Sequence, residues 1–172
     1  EEALQELIKT GIIYPCNRTR SEIRKAGIKS HSGEEYLFPE KWRGRYDNQT
    51  DDHNPINQNW RIGTNWGDRI AFYDGRLGKL NFEMGKDFSD FLVWRKDGIP
   101  AYEFATVVDD HLMGITEIVR GEDLLVSSAR QCLLFDVLKY TRPKFFHCSL
   151  SLGKDGTKSV SYTHLRAHET FA

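Results

Sequence analysis

The sequence predicts an α/β fold whose last third is a strand–helix–strand unit. Two stretches carry apolar residues at helical spacing, near residues 4–12 and 124–138. Two short β-prone runs, near 115–119 and 145–148, lie on either side of the second of these helices. Such a crossover between strands of one sheet is almost always right-handed, and the strands that it joins are parallel.

Composition and charge narrow the class of protein. The 172 residues are 39% hydrophobic and 28% charged, as in a soluble globular protein. The apolar runs are far shorter than the roughly 20 residues that span a bilayer, and no leader peptide is visible, so we expect no membrane association. A net charge of -1 gives no global electrostatic reason to bind nucleic acid. Three widely spaced cysteines suit a reducing cytoplasm rather than a disulfide framework.

The first hundred residues are predicted to form a small mixed α/β unit. The first helix has one apolar face and ends at Gly11; that face comprises Leu4, Leu7, Ile8 and Ile12. Tyr14-Pro15-Cys16 reads as extended, because the residue before a proline avoids the α region. Residues 21–26 form a second short helix, with Thr19 or Ser21 as its cap and Gly27 after it.

Residues 29–58 are predicted to form a long irregular loop. Polar and turn-forming residues dominate there, and apolar periodicity disappears. Within the loop, Arg43-Gly44-Arg45 is a small basic spot that fits either a solvated turn or a phosphate contact. Short strands follow around Trp60–Ile62, around Ile70–Tyr73 and from Phe88 to Trp94, separated by glycine turns.

After the turn at Asp97-Gly98, a helix is expected with Pro100 in its first turn. Its apolar face would comprise Ala101, Ala105, Val108 and Leu112, and Gly114 would end it. The next strand runs to Arg120, and Gly121 allows a tight turn. Glu122 and Asp123 then start the next helix, where acidic residues complement the helix dipole.

Arg120 is the leading candidate for ligand binding. It ends a strand of the predicted parallel sheet, and open parallel sheets bind ligands at the carboxyl ends of their strands. The planar donors of a guanidinium suit a carboxylate or a phosphate, although a salt bridge to Glu122 or Asp123 is the alternative. The hydroxyl of Tyr102 either faces the same cleft or caps the core.

Asp109-Asp110 and His111 are polar residues that a structural role explains as well as ligand binding does. Asp109-Asp110 fits either a metal or amine site or a structural role near a helix end, and the structural role is the more common one. His111 is interpreted as an ordinary surface or core histidine.

Residues 94–125, WRKDGIPAYEFATVVDDHLMGITEIVRGEDLL, resemble the catalytic domain of class I glutamyl-type aminoacyl-tRNA synthetases, and among these the glutamyl-Q tRNA(Asp) synthetases. The resemblance covers residues 1–158. It implies that residues 101–158 are the second half of a Rossmann-like nucleotide-binding domain. Residues 1–100 would be an inserted mixed α/β subdomain that binds the acceptor stem of tRNA.

The resemblance also implies site residues and substrates. Tyr102, Thr106 and Arg120 would hold L-glutamate, and Asp123 would lie by the ATP, which binds with Mg²⁺. Lys158 would be the first residue of a KLSKR-like loop, with a catalytic and ATP-binding role. The products would be glutamyl-adenylate and then glutamate on tRNA.

The acceptor implied by the resemblance is the queuosine of tRNA(Asp), or tRNA(Glu) if the parent is a full synthetase. A non-catalytic RNA-binding module derived from a synthetase is the alternative of another class. We expect a cytoplasmic monomer.

The ends of the sequence depart from the family pattern. No HIGH-like motif precedes Tyr14, and residues 159–172 do not resemble the family, so we interpret them as a non-native tail. His164 and His168 in that tail are taken as accidental, not as metal ligands. Because half of the ATP site would be missing, the 172-residue chain alone is expected to be inactive.

A zinc site found in many glutamyl-Q enzymes is also expected to be lost. Only Cys16 remains of its cysteines, because Arg18 stands in place of the second one, and Phe38 and Trp42 replace the other two ligands. One thiolate does not make a four-coordinate site. We therefore predict no zinc, with packing by Phe38 and Trp42 in its place.

Overall fold

The structure, a computed structural model, describes residues 1–33, 35–44 and 55–150. These residues form four α-helices: α1 Glu2–Thr10, α2 Arg20–Ala26, α3 Tyr102–Leu112 and α4 Leu125–Val137. They form seven strands: β1 Ile13–Pro15, β2 Trp60–Ile62, β3 Arg69–Asp74, β4 Gly78–Glu83, β5 Phe91–Trp94, β6 Glu117–Gly121 and β7 Lys144–Cys148. Three 3₁₀ turns lie at Glu40–Trp42, Pro55–Asn57 and Glu122–Leu124.

The two N-terminal helices agree with the sequence prediction. The buried face of α1 includes Leu4 and Leu7, and the helix ends at Gly11 in the left-handed conformation, with φ of 69°. In α2 the hydroxyl of Thr19 accepts from the amide of Glu22, and the Glu22 carboxylate accepts from the Thr19 amide, which is a capping box.

The strands form two sheets. The first is antiparallel, in the order β1-β2-β5. The second has the order β4-β3-β7-β6, in which β3 and β4 form an antiparallel hairpin while β7 pairs in parallel with both β3 and β6. The predicted α/β class and the parallel crossover from β6 through α4 to β7 are confirmed.

The second sheet buries one face against the helices. Phe72 of β3 and Phe145 of β7 lie on that face, with ring centroids 5.3 Å apart, and they join a core that includes Leu134 of α4. The opposite face is exposed at Tyr73 and Val119, whose exposed fractions are 73% and 69%.

The core continues across residue 100, where the sequence analysis divided the chain. Strand β3 precedes that position, yet it pairs with β7, which follows it. One core cluster contains residues of α1, of both sheets and of α4. The division into ranges 1–100 and 101–158 stays a prediction, and Lys158 and residues 159–172 lie outside the described residues.

Helix α3 begins later than predicted and buries a different face. Its first residue is Tyr102, its N-cap is Ala101, and Pro100 precedes the helix. The buried residues are Phe104 and Val107, because α3 packs on β5 and α4 and the ring of Phe104 lies edge-on to Trp94. The predicted face was therefore wrong.

Of that predicted face, Ala101, Ala105 and Val108 are half-buried. Leu112 lies in the last turn of α3 and is 76% exposed.

The described parts of the loop at 29–58 contain short local structure and one buried ion pair. Lys29 and Tyr36 form an isolated antiparallel bridge. The Arg43 guanidinium binds the buried carboxylate of Asp90, so neither the solvated turn nor the phosphate contact is right for Arg43. Arg45 lies outside the described residues. Within the part of the chain that the structure describes, no helix is both long and apolar enough to cross a bilayer.

Candidate functional site

The carboxyl ends of β3, β7 and β6 meet at one edge of the second sheet. Arg120 on β6 lies in register with His147 on β7, and Gly121 with Cys148. Asp74, the last residue of β3, pairs with Phe145, which lies two residues before His147 on β7. Since open parallel sheets bind ligands at this edge, the structure places the predicted site where the topology favours one.

Arg120 is held by neutral groups. Its Nη2 donates to Oε1 of Gln131 at 2.6 Å, and its guanidinium carbon lies 5.1 Å from the ring centroid of Phe145. The Nε atom is buried and has no hydrogen-bond partner among the described residues. Burial lowers the pKa of the guanidinium, and the nearby Tyr102 hydroxyl and Asp110 carboxylate act in the opposite direction.

The alternative for Arg120, a salt bridge to Glu122 or Asp123, is not formed. Glu122 instead pairs with Arg76, whose Nε donates to the carbonyl oxygen of His147 at 2.5 Å. Within residues 1–33, 35–44 and 55–150, no carboxylate forms an ion pair with Arg120. The guanidinium is thus a partly buried cation without an ion-pair partner in the described part of the chain.

Tyr102 opens helix α3 next to Arg120. The tyrosine is 57% exposed, and its hydroxyl is close enough to influence the pKa of Arg120. Thr106 lies one turn further along α3 and is half-buried. The structure therefore brings together Tyr102 and Arg120, while the binding roles of these residues and of Thr106 stay predictions.

Around the acidic pair on α3, the described residues contain no group of three possible metal ligands. Asp109 is exposed, whereas Asp110 is partly buried and its Oδ2 has no hydrogen-bond partner among the described residues. Burial raises the pKa of Asp110, although Arg120 opposes that change. His111 stacks on Tyr140 at 3.6 Å between ring centroids, in keeping with the ordinary role expected for it.

Asp123 lies in the 3₁₀ turn that leads from β6 into α4, and it is exposed. Its carboxylate lies over Gly121: a Cβ atom added at Gly121 would be 2.4 Å from Oδ1 of Asp123. Only a glycine therefore permits this turn without moving Asp123. The role of Asp123 beside ATP stays a prediction.

A buried network under the strand ends escaped the sequence analysis. His147 Nδ1 lies 2.7 Å from Oδ2 of Asp74, and Nε2 lies 2.7 Å from Oγ of Ser128 on α4. All three residues are fully buried. Burial raises the pKa of Asp74, but hydrogen bonds from His147 and from the amides of Leu77 and Arg76 lower it overall. Successive side chains of a strand point to opposite faces of the sheet, so His147 lies on the same face as Phe145. This alternation in the sequence could have indicated that His147 points into the core.

A groove with a volume of about 1030 Å³ extends from Tyr102 along α2 and the first sheet. Its lining contains three acidic residues, Glu35, Asp90 and Glu103, and six arginines, Arg18, Arg20, Arg24, Arg61, Arg95 and Arg130. Arg130 pairs with Glu35 and Glu103, and the Asp90 carboxylate binds Arg43. Arg18 pairs with Glu22 and Arg95 with Asp97. Arg20, Arg24 and Arg61 form no ion pair with a described residue, so they leave part of the groove wall positive although the net charge of the chain is -1.

The cluster that the sequence analysis placed at the lost zinc site is apolar and aromatic. Tyr14, Cys16, Ile23 and Phe38 are buried together, with Trp42 packed against them. The rings of Phe38 and Trp42 meet edge-on at 5.8 Å, and Arg18 lies over the Trp42 ring at 4.8 Å. The predicted packing is confirmed. A single thiol among aromatic rings does not fit a four-coordinate zinc ion.

Comparison with protein families gives a match over nearly the whole chain. Residues 1–166 match the family described as "tRNA synthetases class I (E and Q), catalytic domain". This match runs past Lys158, so the start of the proposed non-native tail at 159 stays a prediction.

Individual proteins are similar over most of this chain. "Glutamate--tRNA ligase 2" of Campylobacter curvus (strain 525.92) is 32% identical over 163 residues, which are 92% of this chain and 34% of that protein. "Glutamyl-Q tRNA(Asp) synthetase" of Neisseria gonorrhoeae is 35% identical over 158 residues, 92% of this chain and 52% of that protein. The chain thus spans about a third of the glutamate ligase and about half of the glutamyl-Q protein.

A solved structure shares the fold. The crystal structure of glutamate-tRNA synthetase from Elizabethkingia anophelis superimposes with a TM-score of 0.69 at 24% identity. The match covers 93% of this chain and 34% of that one. At this level of identity the likeness concerns the arrangement of helices and strands.

Proposed function

Because the chain belongs to the family of class I tRNA synthetases (E and Q), catalytic domain, we propose that the protein containing it activates glutamate with ATP and transfers it to tRNA. The observation that carries this proposal is Arg120, a partly buried guanidinium at the strand ends with no carboxylate partner in the described residues. A dicarboxylate substrate supplies the missing anion, and the exposed Tyr102 next to it offers a hydroxyl that orients the substrate.

The reaction needs no nucleophile from the protein. An oxygen of the glutamate α-carboxylate attacks the α-phosphorus of ATP, and the bond from that phosphorus to the leaving pyrophosphate breaks. Mg²⁺ bound with the nucleotide would neutralise phosphate charge. A hydroxyl of the tRNA then attacks the carbonyl carbon of glutamyl-adenylate, and AMP leaves. The protein contributes alignment of the reacting groups and stabilisation of charge.

We assign roles to the site residues within this reaction. Arg120, Tyr102 and Thr106 hold the glutamate, and Asp123, fixed over Gly121, lies by the ATP. Lys158, which lies outside the described residues, contacts the phosphates. Since the substrate α-carboxylate has to remain nucleophilic, Arg120 is better suited to the side-chain carboxylate.

The arginine-lined groove supports an RNA partner. It leads from Tyr102 along α2, so a phosphodiester chain in the groove would end beside the glutamate. Phosphate contacts by lysine and arginine supply most of the affinity of proteins for RNA backbones. As acceptor we propose the queuosine of tRNA(Asp), on the basis of the sequence resemblance, with tRNA(Glu) as the alternative.

The test is glutamate-dependent ATP–pyrophosphate exchange, with tRNA present, in a full-length protein that carries this chain. Arg120→Ala should abolish exchange, because the substrate carboxylate loses its cation. Arg69→Ala is the matched control, since Arg69 is exposed and pairs with Glu83 on the surface. Exchange that survives Arg120→Ala unchanged would remove Arg120 from the site.

Two further assays address the acceptor and the isolated chain. Transfer of labelled glutamate to tRNA(Asp) with and without queuosine, and to tRNA(Glu), separates the two acceptors. The 172-residue chain alone should show no exchange, and glutamate-dependent turnover by it would contradict that expectation. Salt-dependent tRNA binding without any exchange by the full-length protein would favour a non-catalytic RNA-binding module.

A further inference from the structure

Gln131 is the polar side chain in direct contact with Arg120. It lies on α4, is fully buried, and accepts a hydrogen bond from Nη2 of Arg120 at 2.6 Å. A guanidinium that is partly withdrawn from water often has a carboxylate partner, because burying an unpaired charge is costly. Here the partner is a carboxamide, which fixes the guanidinium without neutralising it.

The orientation of the Gln131 amide follows from its partner. The guanidinium carries donors only, so the amide oxygen has to face Arg120 and the amide nitrogen has to point away. That nitrogen is buried and has no acceptor among the described residues, and the same holds for Nε of Arg120. Two unpaired donors and one positive charge are therefore available to an acceptor that the described residues do not supply.

Asp110 is the acidic residue that acts on Arg120 in the described part of the chain, and it does not form an ion pair with it. Asp110 acts on the guanidinium from α3, but it lies outside ion-pair distance and its own Oδ2 has no partner among the described residues. The ring of Phe145, on the other side, is a neutral contact. Among the described residues, the amide of Gln131, the ring of Phe145 and the hydroxyl of Tyr102 are neutral neighbours, so no ion pair there neutralises Arg120.

We propose that Gln131 is a positioning residue that holds Arg120 for the substrate carboxylate while keeping its charge uncompensated. This inference rests on the proposed function, in which Arg120 binds glutamate. A glutamate at position 131 would have nearly the same shape, but it would form a charge-assisted pair with Arg120. The substrate would then have to compete with an internal carboxylate for the same guanidinium.

The experiment compares Gln131→Glu and Gln131→Met in the full-length protein, by ATP–pyrophosphate exchange at varied glutamate concentration. Gln131→Glu should raise the KM for glutamate about tenfold or more and leave kcat within about threefold, because it weakens binding in ground state and transition state alike. Gln131→Met has a similar volume and no charge, so it should raise KM by no more than about threefold.

The outcomes separate the inference from the function on which it rests. If Arg120→Ala abolishes activation but Gln131→Glu leaves KM unchanged, the function stands and the inference is overturned. An equal rise of KM in both Gln131 variants overturns it too, since loss of packing would then explain both. If Arg120→Ala has no effect, the proposed substrate site fails and the inference fails with it.

Melting temperatures measured on the same variants control for folding. If Gln131→Glu does not fold, the kinetics of Gln131→Met alone test the role of Gln131. With a melting temperature close to that of the parent, Gln131→Met should lower kcat/KM about two- to threefold, because Arg120 has lost its hydrogen-bond acceptor. Unchanged kinetics in that variant would overturn the inference.

Discussion

The guanidinium of Arg43 binds the carboxylate of Asp90 at two points, with Nε 3.0 Å from Oδ2 and Nη2 2.9 Å from Oδ1. The same carboxylate accepts from the hydroxyl of Tyr14 at 2.7 Å and from the amide and hydroxyl of Thr64. Burial raises the pKa of Tyr14, and the neighbouring Asp90 raises it further. One buried side chain thus joins β1, the segment before Gly44 and the residues that flank the first sheet.

Asp90→Ala should destabilise the chain by about 3 kcal/mol or more, because it removes the buried carboxylate that accepts hydrogen bonds from Arg43, Tyr14 and Thr64. Urea unfolding followed by circular dichroism measures the change. Glu83→Ala is the matched control: it breaks the exposed pair with Arg69 and should cost less than about 1 kcal/mol. A cost for Asp90→Ala as small as that of the control would show that the network adds no stability.

Local signals allowed most of the fold to be predicted, whereas long-range pairing did not follow from them. The caps of α1 and α2 and the β6–α4–β7 crossover depend on neighbouring residues, so the sequence indicates them directly. The Arg43–Asp90 pair joins residues 47 positions apart, and no spacing rule identifies such a partner. For the same reason Arg43 was interpreted as part of a basic surface.

The site was predictable only in part. The strand end and the turn after it indicated Arg120, because topology alone places a ligand there. Gln131 and the Asp74–His147–Ser128 network were missed, since each depends on how α4 packs against the sheet. The apolar face of α3 was misassigned because small residues also recur at helical spacing, while the bulkier Phe104 makes the contact.

Cysteine reactivity should distinguish one thiol from the other two. Cys148 is exposed at the end of β7, whereas Cys16 and Cys132 are buried. Burial raises the pKa of the Cys132 thiol to about 12, which leaves almost no thiolate at neutral pH. In the native chain we expect one thiol to react fast with a disulfide reagent, and in denaturant we expect all three to do so. In native Cys148→Ser, no thiol should react fast. Two or more fast native thiols would contradict the burial of the others.

Removal of metal should leave the stability of the chain unchanged. The aromatic cluster around Phe38 replaces metal coordination with packing, so a chelator such as EDTA has no bond to break there. Thermal unfolding with and without EDTA should give the same melting temperature, while Phe38→Ala should lower stability by about 3 to 5 kcal/mol. A fall of the melting temperature in EDTA that zinc reverses would disprove the replacement.

The capping box of α2 should make stability depend on pH in the acidic range. The backbone amide of Thr19, then the Arg18 and Thr19 side chains, lower the pKa of Glu22 from its ordinary value of 4.5 to about 2. A lowered pKa means that the contribution is complete above about pH 4.5 and is lost as pH falls toward 2. Carboxyl NMR titration should give a midpoint near 2 for Glu22.

Glu22→Gln provides the control for the same range. Its melting temperature should fall less steeply between pH 5 and 2 than that of the parent chain, roughly the window of the shifted group. Equal pH dependence in the two chains would assign the acid sensitivity to other carboxylates.

The pairing of β3 with β7 also determines when the second sheet can be completed. Asp74 accepts from the amide of His147 across 73 positions of sequence, whereas the β3–β4 hairpin closes locally. Local hairpins form in about 1 to 10 μs, while contacts between distant segments make folding slower. During synthesis from the N-terminus, the hairpin therefore exists before β7 has been made. Until then β3 presents an unpaired edge, and the nascent chain is open to association with other strands at that edge.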